Sequence, residues 1–223
     1  MTKMLASVNS LEEAQFILAT SVDIIDLKQP KSGALGALSI ATVKQIVQKV
    51  NQQKPISATI GDLPMQADLI FDAVSAMSET GVDYIKIGLF PDGNWQETLT
   101  KLRLLTQQGH QLIAVLFADT QLDFHIIEVL KQNGFTGVML DTMNKSSGTL
   151  PQLMSFDELH TFVKTANNAG LFCGLAGSLK SKHIPELLTL KPDYLGFRGA
   201  LCEQHNRTAT LHAESTQKVL SYF

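Results

Sequence analysis

TGVDYIKIGLF, residues 80–90, carries the unit from which the rest of the chain is built. Gly81 stands where a helix C-terminus needs a left-handed residue, and a continuous apolar, β-branched run follows at once. Such a run, rather than an alternating one, marks a strand covered on both faces of a parallel sheet. The unit returns as NGFTGVML at 133–140 and AGLFCGLA at 169–176. Gly109 precedes a further run in the same way. Working outward, eight strand-like runs are expected: Met4–Val8, Val22–Leu27, Ile56–Ile60, Tyr84–Ile87, Leu112–Phe117, Gly137–Leu140, Leu171–Leu175 and Tyr194–Phe197. Helical faces lie between them, for example Leu11, Ala14, Ile17 and Leu18, or Leu159, Phe162, Val163 and Ala166. Ser10 with Glu13 and Ser155 with Glu158 have the spacing of capping boxes. Eight strands alternating with helices leave about 28 residues per unit, which suits a compact (β/α)₈ barrel. A doubly wound open sheet is the competitor, but no G-x-G-x-x-G follows the first strand. One domain, residues 1–223, is the economical reading.

The composition narrows the function classes. Of 223 residues, 44% are hydrophobic and 17% charged, with a formal net charge of −3. That is globular, and it argues against a dedicated nucleic-acid binder, which carries a basic surplus. Cys173 and Cys202 form no C-x-x-C pattern and read as buried, reduced thiols. MTKMLASV is too short and too weakly apolar for a signal peptide. No apolar run approaches the ~18–20 residues of a membrane span. A cytoplasmic protein without membrane partners is expected, and homo-oligomerisation stays open. The six histidines are scattered and the carboxylates do not cluster, so neither a metal nor another cofactor is expected.

In a barrel of this kind the chemistry sits where strands end. Asp26 and Lys28 are two apart at the end of the second strand and therefore point to the same side. Charged groups there are costly unless paired or used. Lys86 lies between Ile85 and Ile87 inside the fourth strand. Two inward lysines in one mouth disfavour each other's protonation, a route to a nucleophilic amine near neutral pH. Asp62 follows the third strand as either a turn residue or a polar group of the site. Asp141 ends the sixth strand with Lys145 just beyond, and both suit proton transfer or phosphate neutralisation. After strands seven and eight, where this fold usually binds phosphate, stand Gly177, Ser178, Arg198 and Gly199. The first two offer close backbone approach and a hydroxyl; Arg198 offers a fork of donors. Pro30, Gly33 and Gly36 make another turn able to present amides to an anion.

Several strings together resemble the (5-formylfuran-3-yl)methyl phosphate synthase family of methanofuran biosynthesis. They are DIIDLKQPKSGALGA (23–37), SATIGD (57–62), DYIKIGL (83–89), MLDTMNK (139–145), GLAGSL (174–179) and PDYLGFRGALC (192–202). The resemblance implies a (β/α)₈ barrel related to Schiff-base aldolases. It implies a lyase condensing two glyceraldehyde 3-phosphate molecules to 4-(hydroxymethyl)-2-furancarboxaldehyde phosphate, with loss of phosphate and water. By the same resemblance Lys28 forms the imine, Lys86 moves protons, Asp26 is the acidic partner, and Asp141 and Lys145 add polar groups. Gln29 departs from the family pattern, where Asn or an acidic residue is expected. The segment after Cys202, EQHNRTATLHAEST, matches no family string. Two other readings stay open: a Schiff-base aldolase or isomerase of another sugar phosphate, and a non-catalytic binding module.

Overall fold

The computed structural model describes residues 1–144 and 146–223. Eight parallel strands close into a barrel in chain order. They are β1 (Lys3–Val8), β2 (Ile24–Leu27), β3 (Ile56–Thr59), β4 (Tyr84–Gly88), β5 (Leu112–Phe117), β6 (Gly137–Asp141), β7 (Phe172–Leu175) and β8 (Tyr194–Phe197). Around them run α1 (Leu11–Leu18), α2 (Ile40–Val50), α3 (Ala67–Ser78), α4 (Trp95–Gln107), α5 (Ile126–Gln132), α6 (Leu150–Leu153), α7 (Phe156–Asn168), α8 (Ile184–Thr189) and α9 (Ala213–Leu220). The fold is the expected (β/α)₈ barrel. The four glycines expected at helix exits, Gly81, Gly109, Gly134 and Gly170, take φ values of 84°, 93°, 79° and 68°.

Strand entries share a device that the hydrophobic pattern does not reveal. Asp23, Asp83 and Asp193 each stand one residue before a strand or its first pair of residues. Each carboxylate accepts the first free amide of a neighbouring strand: Met4 N at 2.8 Å, Ile56 N at 2.7 Å and Cys173 N at 2.7 Å. These aspartates tie adjacent strands at the floor of the barrel, so β2 begins at Ile24 rather than Val22.

The alternation of side chains divides the core in two. One face of every strand packs against the helices, with Ala6, Ile25, Ala58, Ile85, Ala114, Val138, Cys173 and Leu195 all buried there. The other face fills the barrel. Its floor is apolar: Leu5, Ile24, Ile113, Met139 and Tyr194 are buried together, and Tyr84 and Phe172 pack against them. The Phe172 ring stacks with Tyr84 at 5.9 Å and packs at a tilt on Tyr194 at 5.0 Å. One step up, β1 to β4 and β6 turn polar residues inward (Ser7, Asp26, Thr59, Lys86 and Asp141), whereas β5 stays apolar with Val115 and Phe117. The register places Ser7 beside Asp26, Asp26 beside Ser57, and Thr59 beside Lys86.

Helix α7 has the expected reciprocal cap between Ser155 and Glu158. Helix α1 has only half of one. Ser10 accepts from Glu13 N, but the Glu13 carboxylate turns to Asn9 N and to Arg198, 185 residues away. A buried guanidinium attracts that carboxylate more strongly than a solvated cap amide does.

Candidate active site

A cavity of about 470 Å³ opens at the C-terminal ends of the strands. Asp26, Lys28, Lys86, Asp141, Gly177, Ser178, Arg198 and Gly199 all line it. Lys145 lies outside the described residues. The strand ends bring the charged groups together in crossed pairs. Lys28 Nζ donates to Asp141 Oδ2 at 3.3 Å across the barrel. Lys86 Nζ lies 2.7 Å from Asp26 Oδ1. Asp26 and Lys28, neighbours on one strand, thus serve different partners.

All four groups are buried, and their pairing explains how the fold tolerates them. An isolated buried charge costs several kcal/mol, which a good pair with further hydrogen bonds offsets. Asp26 has those bonds: Ser7 Oγ donates to its Oδ2 and Ser57 Oγ to its Oδ1, each at 2.7 Å. Burial pushes the Asp26 carboxyl up, but the Lys86 and Lys28 charges and the bonds from Lys86 and Ser57 hold it below the usual carboxylate range. Burial is also the largest influence on Lys86 and pulls its ammonium down. Lys28 adds to that, while Asp26 and Asp141 oppose it. The outcome is a fixed carboxylate beside an amine that loses its proton more readily than an exposed lysine.

The phosphate loops divide differently from expectation. Gly177 N and Ser178 N, and Gly199 N and Ala200 N at the start of a 3₁₀ turn, have no hydrogen-bond partner among the described residues. They are available to an anion in the cavity. Arg198 is not. Its five N–H groups go to Arg207 O, Ser7 O, Ala209 O and both oxygens of Glu13. The expected phosphate clamp instead ties β8 to α1 and to the segment beyond Cys202. The Pro30–Gly36 turn is likewise occupied. Asp62 accepts from Ala34 N at 2.7 Å and Leu35 N at 2.6 Å, so the anion in that turn is part of the protein.

Three contributors went unnoticed in the sequence. Ser7 and Ser57 had a signal, a hydroxyl inside an apolar strand on the inward parity. Arg207 had none, because its loop carries no periodicity. Its side chain crosses the mouth and donates from Nη2 to Gly33 O at 3.0 Å. Among the described residues no group of three His, Cys, Asp or Glu side chains is placed to hold a metal ion. Among them, too, no helix is long and apolar enough to cross a membrane.

Comparison with known proteins shows what the chain as a whole is similar to. A profile of the 4-HFC-P synthase family matches residues 4–220. A Methylorubrum extorquens protein provisionally named a (5-formylfuran-3-yl)methyl phosphate synthase is 39% identical over 209 residues, covering 94% of this chain and 86% of that one. The (5-formylfuran-3-yl)methyl phosphate synthase of Methanocaldococcus jannaschii is 33% identical over 215 residues, covering 92% of each. Among solved structures, 3-hexulose-6-phosphate synthase from Salmonella typhimurium superposes with a TM-score of 0.69 at 19% identity, over 100% of both chains. The 3-keto-L-gulonate-6-phosphate decarboxylase of Vibrio cholerae does so with a TM-score of 0.70 at 11% identity, over 99% of this chain and 95% of that one. Those two likenesses are of fold.

Proposed function

The chain belongs to the 4-HFC-P synthase family, an enzyme family, and on that premise we propose that it joins two glyceraldehyde 3-phosphate molecules through an imine on Lys28. The product would be (5-formylfuran-3-yl)methyl phosphate, formed with loss of phosphate and water for methanofuran-type cofactor synthesis. The observation that carries this reading is the pair of buried lysines in one barrel mouth, each facing a carboxylate.

Lys28 is the nucleophile. It stands at the cavity wall, and Asp141 beside it can take up and return the protons that imine formation and hydrolysis move. The protonated imine withdraws electrons, so a proton on the adjacent carbon becomes acidic. Lys86 takes that proton, since burial and the Lys28 charge make its ammonium release a proton more readily than an exposed lysine does. Asp26, held by two serine hydroxyls, orients Lys86 and stabilises it once protonated. The resulting enamine attacks the second triose, and eliminations of phosphate and water then aromatise the ring. The amides of Gly177, Ser178, Gly199 and Ala200 hold one substrate phosphate. Lys145, as expected from the sequence, contributes from the loop after β6. The buried free thiols Cys173 and Cys202 suit a reducing cytoplasm.

Borohydride reduction in the presence of glyceraldehyde 3-phosphate, followed by mass mapping, tests the proposal. A triose adduct on Lys28 is expected, together with an ultraviolet-absorbing furan product in untreated enzyme. Lys28→Ala should lose both. Full furan production by that variant would overturn the imine, and an adduct without furan absorbance would point to another sugar-phosphate aldolase.

A further inference from the structure

The condensation proposed above brings two phosphate groups into one cavity, and the amides after β7 and β8 suit only one of them. Neither Arg198 nor the Pro30–Gly36 turn can hold the other, because protein groups already occupy both, and Lys145, the other candidate from the sequence, lies outside the described residues. The segment after β8 supplies a different cation. A bridge between Cys202 and Leu211 and a bond from Glu203 N to Thr210 O close this strap at its neck. Within it, Gln204 and His205 take φ values of 51° and 58°, a conformation that side-chain-bearing residues adopt only when their surroundings impose it. Further along the strap, Arg198 donates to Arg207 O at 2.9 Å and to Ala209 O at 2.7 Å. Both carbonyls flanking Thr208 are thereby fixed, and the Arg207 side chain is delivered to the β2 side of the mouth.

There Arg207 lines the same cavity as Lys28, and the bond to Gly33 O is the only hydrogen bond of its side chain among the described residues. Four of its five N–H groups are left for a ligand. Partial burial and Arg198 pull its pKa down while Asp141 and Asp62 oppose them, and a guanidinium stays charged throughout the working range. The side chain starts beside Gly199 and ends at Gly33 O, so its donor fork faces the same cavity on the β2 side, away from the amides after β7. A planar cation so placed matches a phosphate dianion.

We propose that Arg207 binds the phosphate of the second triose, the one not held as an imine on Lys28. This rests on the condensation reading and assigns its second anion subsite. Two variants test it, Arg207→Gln and Arg207→Lys, with circular dichroism to verify folding. In Arg207→Gln, borohydride trapping at Lys28 should stay within about twofold of the unmodified enzyme, while furan formation falls about 30-fold with a raised KM. Arg207→Lys should recover part of that loss, as a point charge without the fork. Furan formation within about threefold of the unmodified enzyme, or trapping that falls in parallel with it, would overturn the assignment. Calorimetric titration with inorganic phosphate separates this from failure of the underlying reading. Two phosphates per chain are expected in the unmodified protein and one in Arg207→Gln, whether or not any furan forms. Equal stoichiometry in the two proteins overturns the subsite, whereas a lost phosphate in an enzyme that makes no furan keeps the subsite and rejects the condensation.

Discussion

Burial and the Lys28 charge pull the Lys86 ammonium toward releasing its proton, while Asp26 and Asp141 pull the other way. A base must be free of its proton to act, so activity falls as pH drops through the Lys86 pKa. Asp26→Asn removes the largest opposing influence, so the Lys86 pKa falls further. The acid limb of the kcat/KM profile should therefore move to lower pH, even as kcat drops because the amine has lost its orienting carboxylate. A limb that stays in place or moves to higher pH would remove Lys86 from the base role. Lys86→Met should lower kcat by about 100-fold or more, the usual effect of deleting a positioned base. Both measurements use the pH dependence of furan absorbance. They separate the base role of Lys86 from the partner role of Asp26, two groups held 2.7 Å apart. Parity along β2 and β4 was enough to bring both into the mouth. It was not enough to pair them, because pairing across a barrel depends on register.

At the scale of elements, the Glu13–Arg198 pair fastens the end of the barrel to its beginning. Glu13 sits in the first turn of α1, Arg198 just after β8, and the strap bearing Arg207 hangs from the guanidinium. Leu211 N also donates to Glu13 at 3.3 Å, so one carboxylate serves both ends of the strap. Glu13→Gln keeps the shape but leaves a buried guanidinium without its counter-charge, which should cost about 3–5 kcal/mol of stability. Urea unfolding measures it, and a loss below about 1 kcal/mol would mean the pair acts like a surface bridge. The contact also shows where sequence reading stops. Ser10-x-x-Glu13 is a correct cap signature, yet the glutamate answers to a residue that no local pattern could connect to it. The Pro30–Gly36 turn repeats the lesson. Its amides were correctly read as an anion nest, and the anion proved to be Asp62. Strands and helices are set by periodicity within a few residues. The occupants of turns and caps are set by long-range contacts, which periodicity does not encode.

The whole barrel is a two-storey interior, and the upper storey depends on the lower. The site's charges stand on a floor of rings, with Tyr194 buried at its centre and its hydroxyl donating to Met139 Sδ at 3.3 Å. Gly174, beside Tyr194 in the register, makes room for that ring: a Cβ there would overlap it. The ring is enclosed between Phe172 and Met139 and has little space to retreat. Gly174→Ala should therefore destabilise the protein by about 3 kcal/mol, as overpacking of a dense core does. If the cause is the ring and not backbone freedom, shrinking the ring must relieve it. Tyr194→Leu alone should also be destabilising, because it opens a cavity in the floor. The Gly174→Ala/Tyr194→Leu double variant should lose at least about 1 kcal/mol less than the two single losses combined, the mark of residues sharing one space. Strict additivity in urea unfolding would place the cost in the β7 backbone instead. Non-additivity would show that the Tyr194 ring is what requires a glycine at 174 in the floor beneath the site.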